Sequence, residues 1–227
     1  MSNIQLAVFD IAGTTVKDKG NVSVAFMNAF KEYNLEVARE AVSKVMGFRK
    51  KDAIRMLLEK STATSPDNNH DLIEQIHDAF TRNIISSYET DPELKPMPQA
   101  EEIFTVLKQG GIKIALNTGF TRAITDTILQ RLQWAELPAI DMVICSDEVP
   151  QGRPFPYMIH SIMLQMDVTD SRAVVKIGDT KVDIEEGRNA GCGMVVSVTT
   201  GAYTRNELEM YKPDHIIDSL EELPALL

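Results

Sequence analysis

Four short segments, each closing an apolar run with polar residues, hold the side chains that could do chemistry on an anionic substrate. The first is Leu6-Ala7-Val8-Phe9-Asp10-Ile11-Ala12-Gly13-Thr14-Thr15, where a run short enough for a buried strand ends in a carboxylate and breaks at Gly13. Asp also forms turns and caps helices, so Asp10 alone leaves a structural role open. The second segment, Leu116-Asn117-Thr118-Gly119, puts a hydroxyl and a glycine amide at an expected helix start. That suits an anionic oxygen, and it also suits an ordinary helix cap. The third, Gly152-Arg153-Pro154, holds a guanidinium, whose fork of donors matches phosphate, in a loop where a solvated arginine is equally at home. In the fourth, Lys176-Ile177-Gly178-Asp179-Thr180-Lys181-Val182-Asp183, two acids stand one helical turn apart. Set beside Asp10 they repel one another unless a cation sits among them. Oxygen ligands with a phosphate partner point to Mg²⁺ rather than zinc or calcium, while Asp179 as a simple helix cap is the alternative.

These segments act together only if one scaffold brings them to one edge. Beyond residue 99 the pattern alternates: helices at 100–109, 121–133, 154–165, 181–189 and 205–210, and strands at 112–116, 140–145, 173–177, 194–198 and 215–217, with a last helix from Leu220. Such alternation predicts an α/β fold with a doubly wound parallel sheet, whose ligands bind past the carboxyl ends of the strands. From Val22 to Tyr88 the periodicity is helical instead. Val24, Met27, Ala29 and Phe30 space as one face, Ile54, Leu57 and Leu58 as a second, and Leu72, Ile73, Ile76, Phe80, Ile84 and Ile85 as a third, with a loop over 61–69. Polar residues 16–21 and the three prolines of 91–98 read as hinges at either end. The expected organisation is a core of 1–16 and 98–227 with an all-helical cap of 17–97 that can move over the crevice.

A chain of 227 residues, 44% hydrophobic and 25% charged, can bury an ample core. A net charge of −10 argues against nucleic acid, which is held by clusters of Lys and Arg. No apolar run reaches the roughly 18 residues of a membrane span, and the first residues show no signal-peptide pattern. Cys145 and Cys192 have no ligand or redox spacing, so a cytoplasmic location is expected. Monomer and homodimer both stay open.

Taken in order, the four segments and the helical insert resemble the haloacid dehalogenase superfamily over the whole chain. The resemblance narrows to its phosphonatase-like branch, whose first motif Asp-x-Ala-Gly-Thr is similar to Asp10–Thr14 and whose Arg-Pro is similar to Arg153-Pro154. It implies that Asp10 is the nucleophile of an aspartyl-phosphate mechanism on a small phosphorylated or phosphonate metabolite. It implies that Mg²⁺ is held by Asp10, the Ala12 carbonyl and Asp179, with Asp183 nearby or acting through water. Thr118, the Gly119 amide and Arg153 would hold the other phosphoryl oxygens.

Most of the superfamily carries a second Asp where this chain has Ala12. General acid–base help is worth about 10²–10⁴-fold, so an alcohol leaving group would depart poorly, which disfavours a sugar-phosphate phosphatase or mutase. Phosphonatase instead uses a cap lysine that forms a Schiff base with its aldehyde substrate. Val45-Met46-Gly47-Phe48-Arg49-Lys50-Lys51-Asp52-Ala53 resembles its cap motif Met-Gly-x-x-Lys-x-Asp-His, which sets Lys50 on that lysine and Met46 and Arg49 beside the substrate. Two departures, Ala53 for histidine and Phe120 for tyrosine, favour reading Arg49-Lys50-Lys51 as a basic helix start that pairs with substrate anions. Cleavage of C–P and of P–O bonds both stay open. A fold retained only for binding or regulation would be expected to have lost Asp10 or Asp179, and both remain.

Overall fold

The computed structural model describes residues 4–61 and 70–227. Six strands, β1 (Leu6–Asp10), β2 (Lys113–Thr118), β3 (Met142–Cys145), β4 (Val174–Gly178), β5 (Met194–Val198) and β6 (His215–Ile217), form one sheet in the order β3-β2-β1-β4-β5-β6. Every pairing is parallel. All five residues of β1 are buried, which is why that strand reads as a continuous apolar run. Its two faces meet different helices. Ala7 and Phe9 join the cluster that includes Phe104 of α5 (Ala100–Gln109), with the Phe9 and Phe104 rings edge-on at 5.2 Å. Leu6 and Val8 join Met158, Ile159 and Ile162 of α7 (Tyr157–Gln165) on the opposite side. The remaining core helices are α6 (Arg122–Arg131), α8 (Lys181–Asn189) and α9 (Arg205–Glu209).

Between β1 and α5 the chain is helical: α1 (Asn21–Lys31), α2 (Arg39–Ser43), α3 (Lys50–Ser61) and α4 (His70–Thr90). The chain leaves and re-enters the core side by side. Val16 bridges Pro96, Lys17 donates its N–H to the Lys95 carbonyl at 3.0 Å, and Met97 donates to Thr15 at 2.8 Å. No helix among the described residues is long and apolar enough to cross a membrane.

Several details depart from the expected elements. The face of α1 that packs inward is Val22, Ala25, Phe26, Ala29 and Phe30, with the Phe26 ring 4.4 Å from Phe80 of α4, whereas Val24 and Met27 are exposed. Apolar residues circle most of α1, so spacing alone could not choose the stripe. The helix expected from 154 begins at Tyr157, because a Phe155 N–H to Gly152 carbonyl bond closes a turn and Pro156 disfavours helical backbone at Phe155. The last helix is a 3₁₀ stretch, Leu220–Ala225, with Pro224 inside it lacking a donor. The expected loop over 61–69 lies outside the described residues apart from the end of α3.

Candidate active site

The strand order reverses at β1: the chain runs outward through β2 and β3, then returns to place β4 on the other side of β1. A crevice opens at such a switch point, past the strand tips. Asp10 ends β1, in register with Asn117 of β2, and Asp179 follows the last residue of β4. The loop after Asp10 is closed by its own threonines, Thr15 donating to the Asp10 carbonyl at 2.9 Å, and by a Gly13 N–H to Val16 carbonyl bond of 2.8 Å. Gly13 has φ of 91°, and a Cβ there would stand 2.8 Å from Asp179 Oδ2. Only glycine lets this loop come so near the second carboxylate. Thr14 donates to Asp179 Oδ1 at 3.1 Å and the Ala202 N–H to Oδ2 at 2.6 Å.

Beneath the two acids lies a buried charge network. Arg153 is 1% exposed and every arm is used: Nη1 reaches Asp10 Oδ1 at 2.6 Å and Asp183 Oδ1 at 3.1 Å, and Nε reaches Glu186 at 3.0 Å. Its Nη2 donates to the Asn117 carbonyl at 2.8 Å and to Asn117 Oδ1 at 2.6 Å. Lys176 approaches the same groups from β4, bonding Asn117 Oδ1 at 2.6 Å and standing 3.0 Å from Asp183 and 3.3 Å from Glu186. Asn117 Nδ2 donates to both oxygens of Glu186 at 3.0 Å. Asp183 Oδ2 accepts from the Thr180 hydroxyl at 2.5 Å and closes the capping box of α8.

Electrostatics separate the acids. Burial raises the carboxyl of Asp10, with Arg153 pulling the other way. Burial pushes Asp179 well above the usual range, and repulsion from Asp10 and Asp183 adds to it. Asp183 also pays for burial, yet Arg153 and Lys176 outweigh that and hold it below the usual range. Asp10 and Asp179 thus form a mutually repelling pair at the crevice edge. Among the described residues no group of three or more His, Cys, Asp or Glu is disposed as a metal cage. A cation here would draw on two carboxylates, a backbone carbonyl and water, a donor set that fits a hard divalent ion.

Above the acids is a cavity of about 130 Å³, lined on the core side by Asp10, Ala12, Thr118, Gly119 and Asp179 and on the helical side by Asp18, Met46 and Lys50. It suits a small substrate; cavities for drug-sized ligands start at roughly 300 Å³. Lys50, the first residue of α3, is 4% exposed. Its Nζ donates to the Phe48 carbonyl at 3.2 Å and lies 4.7 Å from the centre of the Phe120 ring. No carboxylate stands within ion-pair distance of it among the described residues. Burial lowers its pKa to about 8, with Asp10 resisting and Arg153 assisting. The thiols are inert by comparison, burial pushing both Cys145 and Cys192 up to about 12.

The structure therefore gathers Asp10, Ala12, Met46, Lys50, Thr118, Gly119 and Asp179 around one cavity. Three expected site residues stand elsewhere. Arg153 lies behind Asp10 and Asp183 behind Asp179, both outside the cavity lining; Asp183 Oδ2 accepts from Thr180, and Oδ1 stands at ion-pair distance from Arg153 and Lys176. Arg49 bonds the Pro150 carbonyl at 3.2 Å and packs against Gly152, so it joins cap to core away from the cavity. Sequence reasoning missed Asn117, Lys176, Glu186 and Asp18. Lys176 was detectable as the one charge inside the apolar run 173–177, and Glu186 as the acid one turn beyond Asp183. For Asp18, in a polar hinge, no signal stood out.

A strand-tip carboxylate, a second acid across the switch point, a buried guanidinium on the first and a helical cap define an α/β hydrolase whose site lies past the strand tips. The chain belongs to the haloacid dehalogenase-like hydrolase family, whose model matches residues 7–197. It is 30% identical to the phosphonoacetaldehyde hydrolase of Bacillus mycoides, over 96% of this chain and 86% of that one. It is also 30% identical to the Bacillus cytotoxicus protein of the same name, over 91% and 81%. Among solved structures, a phosphonoacetaldehyde hydrolase-like protein from Oleispira antarctica superposes with a TM-score of 0.84 at 24% identity, covering 99% of this chain and 91% of that one. A hydrolase from Pseudomonas syringae gives 0.85 at 17%, covering 98% and 97%. These last two establish likeness of fold.

Proposed function

We propose that this hydrolase cleaves the carbon–phosphorus bond of a small phosphonate bearing an aldehyde, of the phosphonoacetaldehyde class. The observation that carries the reading is Lys50: a buried amine, without a carboxylate partner among the described residues, opening on the same cavity as Asp10. An amine whose pKa lies near 8 is neutral often enough at cellular pH to attack a carbonyl. The names of the relatives agree with that chemistry.

Lys50 Nζ adds to the aldehyde carbon and water leaves, giving an iminium. Asp10 then attacks phosphorus in line. The C–P bonding pair moves toward the iminium nitrogen, so carbon departs as an enamine and needs no acid at position 12. Water hydrolyses the aspartyl-phosphate. The Thr118 hydroxyl and the Gly119 amide, both at the cavity wall, orient the phosphoryl oxygens. Arg153 acts through Asp10, fixing the attacking carboxylate by the 2.6 Å bond to Oδ1. A Mg²⁺ ion bound by Asp10, the Ala12 carbonyl and Asp179 would supply charge neutralisation between the nucleophile and the phosphoryl group. We take residues 17–97 as the cap that carries Lys50 over the site.

The test is reductive trapping. Incubation with phosphonoacetaldehyde and borohydride should fix the substrate carbons on the peptide that contains Lys50, read as a mass increase, and Lys50→Arg should lose both adduct and turnover. Absence of an adduct, together with a Lys50→Arg variant that still hydrolyses a phosphate ester, would assign Lys50 to anion binding and the reaction to P–O cleavage.

A further inference from the structure

Forming an imine is a proton-transfer problem. The carbinolamine made when Lys50 adds to an aldehyde loses its hydroxyl only as water, so an acid must stand beside it, and the product imine needs a base when water returns. The two positions where the resemblance expects an imidazole and a phenol hold neither. Ala53 is wholly buried in the apolar core, and Phe120 offers a ring face to the Lys50 ammonium. Tyr88 lies behind Phe120, ring centres 6.1 Å apart, and is not part of the cavity wall. Burial, with Asp18 and Asp10 adding, keeps its phenol far above the usual range, so it holds its proton.

Among the described residues of the wall, the carboxylates are Asp10, Asp179 and Asp18. The first two are committed to phosphorus and to the cation. We infer that Asp18 is the proton carrier of the imine chemistry at Lys50, a catalytic residue supplied by the hinge in place of the missing imidazole and phenol. The inference rests on the proposed C–P cleavage reading.

The geometry suits a fixed acid with one oxygen to spare. Asp18 Oδ1 accepts the N–H groups of Asn21 at 2.7 Å, Gly20 at 3.0 Å and Val22 at 3.4 Å, which anchors the side chain at the start of α1. No donor among the described residues reaches Oδ2, and the residue borders the cavity that Lys50 enters. Burial raises its carboxyl above the ordinary range, with the backbone N–H groups and Lys50 resisting, the direction a proton-donating acid needs. In the proposed step the carbinolamine C–O bond breaks and the nitrogen lone pair closes the C=N bond. The Asp18 proton leaves with the oxygen as water. In product release the enamine carbon takes a proton from solvent water, which restores an iminium. A water then adds to the iminium carbon and gives its proton to the Asp18 carboxylate.

A helix-capping role and an acid role make opposite predictions for Asp18→Asn, because asparagine keeps the capping oxygen and cannot carry the proton. The experiment measures three quantities on the full chain with phosphonoacetaldehyde: thermal stability, kcat, and the initial rate of borohydride-trappable imine formation on Lys50. Expected for Asp18→Asn are an unchanged melting temperature and a fall of about 100-fold or more in imine formation and in kcat. Added formate should accelerate imine formation in the variant and leave wild type unaffected. Asp18→Ser, which also caps, serves as the second variant and should behave alike. A folded Asp18→Asn protein that forms imine at the wild-type rate overturns the inference while leaving the Lys50 reading intact. If wild type itself forms no adduct, the C–P reading fails, and this inference fails with it.

Discussion

Two buried lysines serve the same crevice and are treated in opposite ways. Lys176, on the core side, is wholly buried and lies among Asn117, Asp183 and Glu186 at 2.6 to 3.3 Å. Lys50, on the cap side, is almost as buried but has one carbonyl at 3.2 Å and two ring faces, those of Phe120 and Phe26. Desolvation is costly for either, and only the first has carboxylates at ion-pair distance to offset it. The contrast separates two tasks. A paired cation is a fixed part of the frame, holding carboxylates at set distances. An unpaired one is easily deprotonated and so available as a nucleophile. On the proposed reading, the floor of this site is built for geometry and its roof for reactivity.

The strongest way to break that contrast is to neutralise the floor where it touches substrate. Asp10→Asn keeps an oxygen for Arg153 and removes the anionic oxygen proposed to attack phosphorus, so turnover should fall below detection while the thermal transition stays in place. Activity at the wild-type level, with deamidation excluded by mass, would show that the floor supplies no nucleophile. Next in size is the frame itself. Arg153→Met leaves Asp10, Asp183 and Glu186 without the guanidinium that joins them. Removing one partner of a buried ion pair costs about 3–5 kcal/mol, which denaturant titration would read directly. A loss under about 1 kcal/mol, as for exposed pairs, would mean that these charges are solvated and the frame is not one.

How far each half could be read beforehand follows the same division. The strands and the positions of Asp10, Thr118 and Asp179 were legible because each apolar run ends in a polar residue, and parallel strands put those ends on one edge. Lys50 was legible through its motif. The depth of Arg153 was not: Gly-Arg-Pro describes a surface loop as well as a buried one, and only the carboxylates of β1 and α8 decide between them. Asp18 was hidden for a related reason. In Lys17-Asp18-Lys19-Gly20 it reads as one charge of a solvated hinge, and it borders the cavity only because α1 starts immediately after it. The inward stripe of α1 was misread at Val24 and Met27 because spacing gives a period, whereas the packing partner, here α4, sets the phase.

The smallest of these effects is the most specific to the roof, since it has the opposite sign to the change at Arg153. A buried Lys with no carboxylate at ion-pair distance, its burial cost only partly offset by Asp10, Asp18 and Asp179, should destabilise the protein that carries it. The Lys50 pKa falls from 10.5 to about 8 on folding. At about 1.4 kcal/mol per pH unit the ammonium costs about 3 kcal/mol below pH 8, where folded and unfolded chains both carry the charge. Between about 8 and 10.5 the unfolded chain keeps a proton that the folded chain has released, so stability rises with pH across that window, and above it the cost is gone. Lys50→Met, similar in length and apolar, should therefore gain about 3 kcal/mol at pH 7, with the gain shrinking toward zero by pH 10.5, while the trappable imine and C–P cleavage disappear. Wild-type turnover should climb with pH through about 8 as the amine becomes neutral. Denaturation curves of both proteins at several pH values decide the matter. A Lys50→Met protein less stable than wild type at pH 7 would mean that Lys50 is held by favourable charge after all, and that roof and floor follow one rule.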